Sequence, residues 1–212
     1  MIEKFVTCSS EVGVVYSAGR RFYEDLNETR DVILPVHTGW IAEHLICEGN
    51  FVYPVTPMFR REVFERIRLN EEFVAEGEAV HMRIALHFKY DYIEDVTAVM
   101  RDHSDNIGKN SELLYEEIRR YFEWYFGLPD VPDSIRALKD EVLFRNSATK
   151  AMQLIVDSRN FPAGRRVAMD AFRRRPFAVT RIKLLAAFLI SLLPAPVACR
   201  ALDQIKAQRR TG

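Results

Sequence analysis

The sequence Val12-Gly-Val-Val-Tyr16 is a short, nearly continuous apolar run that is rich in β-branched residues. Runs of this kind form strands that are buried on both faces, as in the sheets of α/β proteins. Such a strand needs neighbouring strands on its edges and helices on its faces. The run therefore predicts an α/β domain with a mixed sheet around these residues.

The segments that follow contain both kinds of element. Residues 17–36 lack periodicity, which favours a long loop, or a short strand followed by a surface excursion. From the apolar periods and the turn residues we predict, in order, a helix over 38–47 that ends at Gly49, an extended edge segment over 51–59, helices over 62–68 and 76–88, and strands over 90–93 and 97–101 joined by an acidic turn.

Beyond residue 110 the apolar period is helical throughout. We predict helices over 114–125, 135–155, 161–174, 177–193 and 197–209, with Asp133 as an N-cap of the second. The chain is therefore divided into an α/β domain over residues 1–110 and an all-helical region over residues 111–212.

Charge is distributed unevenly, although the chain has 30 Lys+Arg and 30 Asp+Glu. Residues 1–158 hold 18 basic and 28 acidic residues, whereas residues 159–212 hold 12 and 2. The body is acidic and the tail is basic. A hydrophobic content of 48% indicates a globular core rather than disorder. The three cysteines lack a metal-binding spacing, which favours free thiols in a reducing compartment.

Four motifs follow one another in a fixed order between residues 49 and 103. They are Gly49-Asn50, Arg60-Arg61, Glu76-Gly-Glu-Ala-Val-His-Met-Arg83-Ile-Ala and Arg101-Asp-His103. This ordered set, over about residues 1–110, resembles the acceptor-side half of family 2 glycosyltransferases, which have the GT-A fold. The resemblance implies inverting transfer of a sugar from a nucleotide-sugar donor to a glycan or lipid-linked acceptor, with Mn²⁺ or Mg²⁺ as cofactor.

The resemblance places the catalytic acids at the start of the 76–88 helix. Glu76 takes the family's glutamate position, but Gly77 stands at the catalytic aspartate, and glycine cannot accept a proton. Glu78 is one residue further on and is the substitute base that we consider beside Glu76. Alternatively, both glutamates are ordinary acidic residues at a helix N-terminus.

The resemblance also implies a metal ligand and a substrate pocket. His103 corresponds to the family's late metal-binding histidine, with Asp102 or Asp105 as an assisting carboxylate. The substrate-binding residues implied are Gly49, Asn50, Trp40, Arg60 and Arg61, with His37 beside Trp40. Trp40 is equally well explained as a core residue, and the two arginines as part of a surface turn.

The donor-binding half of the family, with its Asp-x-Asp motif, has no counterpart in this sequence. Residues 1–6 resemble the end of the helix that follows that motif. We therefore expect a truncated chain that is inactive alone and self-associates through an uncovered sheet edge. The alternative is a non-catalytic module, derived from a transferase, that docks on a partner or a membrane.

The basic tail contains an apolar stretch. Residues 184–199 are 16 consecutive uncharged residues, fewer than the roughly 20 that span a bilayer. With the cations between residues 173 and 210, the stretch favours a helix lying on an anionic membrane surface, at the inner face of the cytoplasmic membrane. The alternative places it in a helical core. Nucleic acid is not expected, because the basic residues are not interleaved with aromatic ones.

Overall fold

A computed structural model describes residues 1–74, 76–103, 111–175 and 182–208, with all their side chains except those of residues 78, 111–114 and 205–208. The chain forms two compact units, Met1–Arg136 and Ala137–Gly212. The first contains a four-stranded mixed sheet with helices, and the second is helical. The predicted α/β fold followed by a helical region is confirmed.

The sheet is built around its first strand. Its strands are β1 Val12–Tyr23, β2 Glu28–Val32, β3 Met58–Phe59 and β4 Lys89–Asp102. β1 pairs in parallel with β4 along its length, and antiparallel with β3 near its start and with β2 near its end. Val14, Val15 and Tyr16 are at most 1% exposed, which confirms the strand buried on both faces.

The hairpin of β1 and β2 corrects the prediction of a long loop, or of a short strand followed by a surface excursion, over residues 17–36. β1 continues to Tyr23, and Asn27 adopts a left-handed φ of 48° in the turn before β2. Arg20 and Asp31 are paired across the hairpin, with Arg20 Nε 2.7 Å from Asp31 Oδ1. β2 is largely exposed, so polar cross-strand pairs stabilise it. Its sequence therefore lacks the alternation of apolar and polar residues from which a strand is predicted.

β4 is one strand, where the sequence predicted two strands joined by an acidic turn. Ile93 pairs with Ser17 and Val96 pairs with Ala18, so the two acidic residues between them form a bulge. A bulge leaves residues unpaired, as a turn does. The two are therefore hard to distinguish by residue type.

The helices differ from their predicted bounds mainly at the ends, and the predicted ends at residues 177 and 209 lie outside the described residues. Those of the first unit are α1 Ile2–Thr7, α2 Ala42–Glu48, α3 Arg61–Arg66, α4 Glu76–Ile84, α5 Ser111–Tyr125 and α6 Asp133–Arg136. Those of the second unit are α7 Lys139–Met152, α8 Phe161–Arg174, α9 Ile182–Ser191 and α10 Ala195–Gln208. The predicted helix over 135–155 is divided between α6, α7 and a π-helical turn at Gln153–Asp157. Asp133 is the first residue of α6 rather than its N-cap.

α5 and α6 belong to the first unit, although the sequence assigned them to the helical region beyond residue 110. The Tyr121 hydroxyl of α5 donates to the Ala79 carbonyl of α4 at 2.9 Å. The Tyr121 ring also lies 5.2 Å from the ring of Phe73. The aromatic face of α5 thus packs against α4, and this contact sets the boundary of the unit.

His81 makes the stability of the first unit depend on pH. It is 2% exposed, its Nδ1 lies 3.0 Å from the Tyr90 hydroxyl, and burial lowers its pKa from 6.5 to about 4. Because the unfolded chain takes up this proton first, the stability present above pH 6.5 is lost as the pH falls toward 4, with about 2 kcal/mol lost by pH 5.

We expect His81→Phe to reduce this pH dependence. Urea denaturation of both proteins at pH 7 and pH 5 measures the difference, since the other groups titrate equally in each. The same loss of stability in the variant would show that His81 is not the group responsible.

Candidate functional site

The first predicted catalytic residue, Glu76, takes part in a buried ion pair. It begins α4, is 5% exposed, and its Oε1 contacts the guanidinium of Arg83. The same oxygen accepts the Asn70 N–H at 3.0 Å. The side chain of the second candidate, Glu78, lies outside the described residues. Glu76 therefore holds the start of α4 to the preceding loop.

His103, the predicted metal ligand, lies beyond the end of β4 and far from Glu76. Tyr90, near the start of β4, contacts His81 of α4. Tyr90 pairs with Val14 of β1, whereas Asp102 pairs with Tyr23, nine residues further along β1. Nine residues of a strand span about 30 Å. α4 itself is only about 13 Å long. The structure thus does not bring Glu76 and His103 together, and Asp105 lies outside the described residues.

The predicted pocket residues around α2 lie close in the chain but have separate local roles. Gly49 ends α2 with a φ of 91°, which favours glycine. Asn50 Oδ1 accepts the Val52 N–H at 3.2 Å. Trp40 is 54% exposed, and the Lys89 ammonium lies 5.5 Å from its ring centroid. Trp40 is therefore a surface residue, not a core residue.

The two predicted substrate-binding arginines bind the chain itself. Arg60 donates from Nε to the Val12 carbonyl at 2.7 Å and from Nη2 to the Phe5 carbonyl at 2.8 Å. It thereby links α1 to β1. Arg61 Nε lies 2.9 Å from Glu65 Oε1, with the Arg61 side chain 90% exposed.

A cleft of about 340 Å³ that contains several charged residues lies elsewhere in the first unit. The residues that line it are Glu65, Arg66, Ile67, Arg68, Arg83, Leu86, His87, Leu128 and Asp130. Three of these residues are engaged, since Arg83 pairs with Glu76 and His87 Nε2 lies 3.1 Å from Asp130 Oδ2. The cleft is thus distinct from the pocket that the resemblance implied.

The structure brings together His37, His44 and Glu48, which the sequence analysis did not combine. His37 Nε2 lies 2.9 Å from Glu48 Oε2, and His44 Nδ1 lies 2.7 Å from Glu48 Oε1. The imidazole rings stack with their centroids 3.9 Å apart. These hydrogen bonds, first that of His44, lower the pKa of the Glu48 carboxyl. Within the described part of the chain, this is the one group of three His, Cys, Asp or Glu side chains arranged to hold a metal ion.

The second unit has an exposed apolar surface, which we call the α9 surface. α9 buries Leu184, Ala187 and Ser191, each at most 4% exposed. The α9 surface consists of exposed apolar residues on the opposite face, in the segment after α9 and in the first turn of α10: Ile182, Leu185, Ala186, Leu189, Leu192, Leu193 and Val197. Among the described residues, no helix has the length and apolar character needed to cross a membrane.

Comparison with known proteins does not identify a family. No family model, curated protein or solved structure matches this chain. The resemblance to family 2 glycosyltransferases therefore stays a prediction, and the function has to be argued from the residues.

Proposed function

We propose that this chain docks on anionic membrane surfaces through the α9 surface, with the first unit as a transferase-like, non-catalytic scaffold. The observation that carries the proposal is the continuous set of exposed apolar side chains on the solvent face of α9. This function is the alternative that the sequence analysis set beside a truncated transferase that is inactive alone.

The exposed apolar side chains of α9 favour contact with another phase or molecule. Ile182, Leu189 and Leu192 are 72%, 54% and 57% exposed. Single exposed leucines are ordinary, but continuous apolar patches are typical of surfaces that contact proteins or membranes. Each large aliphatic side chain that leaves water contributes about 1.5–3 kcal/mol. Insertion of a few such residues adds to the attraction between the basic tail and anionic lipid, and we expect both to be needed to hold the unit at the interface.

Charge favours anionic lipid as the occupant. Residues 137–212 hold 15 basic and 5 acidic residues, a net charge of +10. Lys183 on α9 and Arg200 on α10 are both exposed, and each cation near an anionic membrane contributes about 1 kcal/mol. With 10 residues, α9 is about 15 Å long, half the thickness of a bilayer core. It is therefore suited to lie in the interface.

The start of α4 supports a scaffold without catalysis. A general base must be positioned to accept the proton of the acceptor hydroxyl. Glu76 Oε1 is bound by Arg83 and by the Asn70 N–H, the Glu76 side chain is 5% exposed and so does not face an acceptor in solvent, and Gly77 has no side chain. Glu78 is the remaining candidate for the base, and its side chain lies outside the described residues. The described side chains therefore favour a non-catalytic scaffold, and glycosyl transfer stays a prediction.

Co-sedimentation with lipid vesicles tests the docking proposal. We expect the chain to bind vesicles that contain phosphatidylserine and to be released at 1 M salt, where the screening length falls to about 3 Å. Leu189→Glu should weaken this binding at least about tenfold, because a buried leucine contributes about 1.5–3 kcal/mol. Ile33→Glu is the matched control, since Ile33 is 94% exposed in the first unit, and we expect it to bind like the parent.

Two results would contradict the proposal. One is the absence of binding to anionic vesicles, or equal binding to anionic vesicles and to neutral phosphatidylcholine vesicles. The other is a self-associated protein that Leu189→Glu converts to a monomer without any vesicle binding by the parent, which would make the α9 surface a contact between copies.

A further inference from the structure

We propose that His37, His44 and Glu48 form a binding site for Zn²⁺. The site lies in the first unit and does not depend on membrane docking by the second. It also differs from the metal position that the resemblance implied, which involves His103.

The three side chains offer donor atoms at suitable separations. One ligand atom from each residue lies within 4.8 Å of the others. A tetrahedral zinc ion with bonds of about 2.0–2.2 Å holds its ligand atoms about 3.4 Å apart. The two histidine–glutamate distances are 2.9 and 2.7 Å and the two rings are stacked, so we expect the side chains to rotate and the rings to separate when the ion enters between the carboxylate and the two ring nitrogens.

The ligands are held in place by the fold. His44 and Glu48 are four residues apart on α2, so they lie on the same face of the helix. His37 precedes α2, and its backbone is bound by the buried Tyr16 hydroxyl, which donates to the His37 carbonyl at 2.8 Å and accepts its N–H at 3.0 Å. The ring of Phe51 lies 4.7 Å from that of His37. These contacts reduce the conformational freedom that metal binding must remove.

The donor set selects the class of ion. Two imidazoles and one carboxylate are ligands that Zn²⁺ uses, whereas Mg²⁺ and Ca²⁺ prefer oxygen ligands alone. Glu48 and His44 are exposed and His37 is partly so, which leaves the fourth position of the ion open to water. The site therefore has the ligand number of an open zinc site.

Titration of the full chain with Zn²⁺, by calorimetry and by competition with a chromogenic chelator, tests the proposal. We expect one ion per chain with micromolar or tighter affinity, and a visible absorption band of tetrahedral Co²⁺ when cobalt replaces zinc. His44→Ala and Glu48→Gln should each weaken binding by about tenfold or more. Alanine favours helix and His44 is exposed, so His44→Ala should remain folded, which circular dichroism verifies.

Two controls separate this site from other zinc ligands. His87→Ala removes a histidine that pairs with Asp130 in the cleft, and it should bind zinc like the parent. Cys47→Ser removes the exposed thiol beside Glu48 and should do the same. Zinc binding that survives both His44→Ala and Glu48→Gln, or that is lost in Cys47→Ser alone, would overturn the assignment, as would the absence of binding by the parent.

Discussion

Arg83→Ala is expected to lower the free energy of unfolding of the first unit by about 3–5 kcal/mol. The side chains of Arg83 and Glu76 are 14% and 7% exposed, so the variant leaves a buried carboxylate without its opposite charge. It also loses the contact between the guanidinium and the ring of Trp124, at 5.3 Å from the centroid. Urea denaturation followed by tryptophan fluorescence measures the loss, because Trp40 and Trp124, the two tryptophans of the chain, both lie in the first unit.

Arg61→Ala is the matched control for this experiment. Arg61 also pairs with a glutamate, Glu65, but its side chain is 90% exposed, and such a helix-surface pair contributes about 0.3–0.5 kcal/mol. The double variant Glu76→Leu with Arg83→Met removes both buried charges and should recover most of the lost stability. If Arg83→Ala is no more costly than Arg61→Ala, the buried pair does not stabilise the unit.

Leu184→Ala is expected to lower the free energy of unfolding of the second unit by about 2–5 kcal/mol. Leu184 is 2% exposed and belongs to a core cluster with Phe144 of α7 and several alanines, including Ala148 and Ala168. Alanine side chains cannot rotate to fill the cavity, so the loss should lie toward the upper end of the range. Hydrogen exchange of the backbone amides in α7, α8 and α9 measures it, since both tryptophans lie outside this unit.

Leu189→Ala is the control on the same helix. Leu189 is 54% exposed, so its truncation should change stability by no more than about 0.5 kcal/mol. If Leu184→Ala and Leu189→Ala lower the free energy of unfolding equally, then Leu184 does not lie on a buried face of α9 and Leu189 on an exposed one. A stable Leu189→Ala protein with weaker vesicle binding would show that docking and folding use opposite faces of α9.

The parts of the fold that the sequence predicts are those in which burial follows a simple period. Val12 to Tyr16 is buried on both faces, and the apolar spacing in residues 161–174 matches α8. β2 was missed because its side chains are mostly exposed and polar, so the partner that makes it a strand is seen only in space. The boundary after Arg136 depends on the packing of α5 against α4, which no local pattern contains.

The candidate sites also combine residues that a local sequence pattern can indicate with residues that only the fold brings together. The spacing of His44 and Glu48 was a usable signal, but His37 lies in a non-helical segment and reaches them only through the fold. Arg60 illustrates the opposite case, since a charged residue in a plausible motif binds two backbone carbonyls instead of a ligand. Residue type alone does not distinguish a ligand-binding arginine from one that links two elements.

The parallel pairing of β1 with β4 has a consequence for synthesis on the ribosome. The innermost strand leaves the exit tunnel before its longest partner, β4, which begins at Lys89 and emerges later. Until then Val14 and Val15 cannot be covered as they are in the finished sheet. The nascent chain therefore offers a hydrophobic segment to chaperones throughout the translation of the intervening residues.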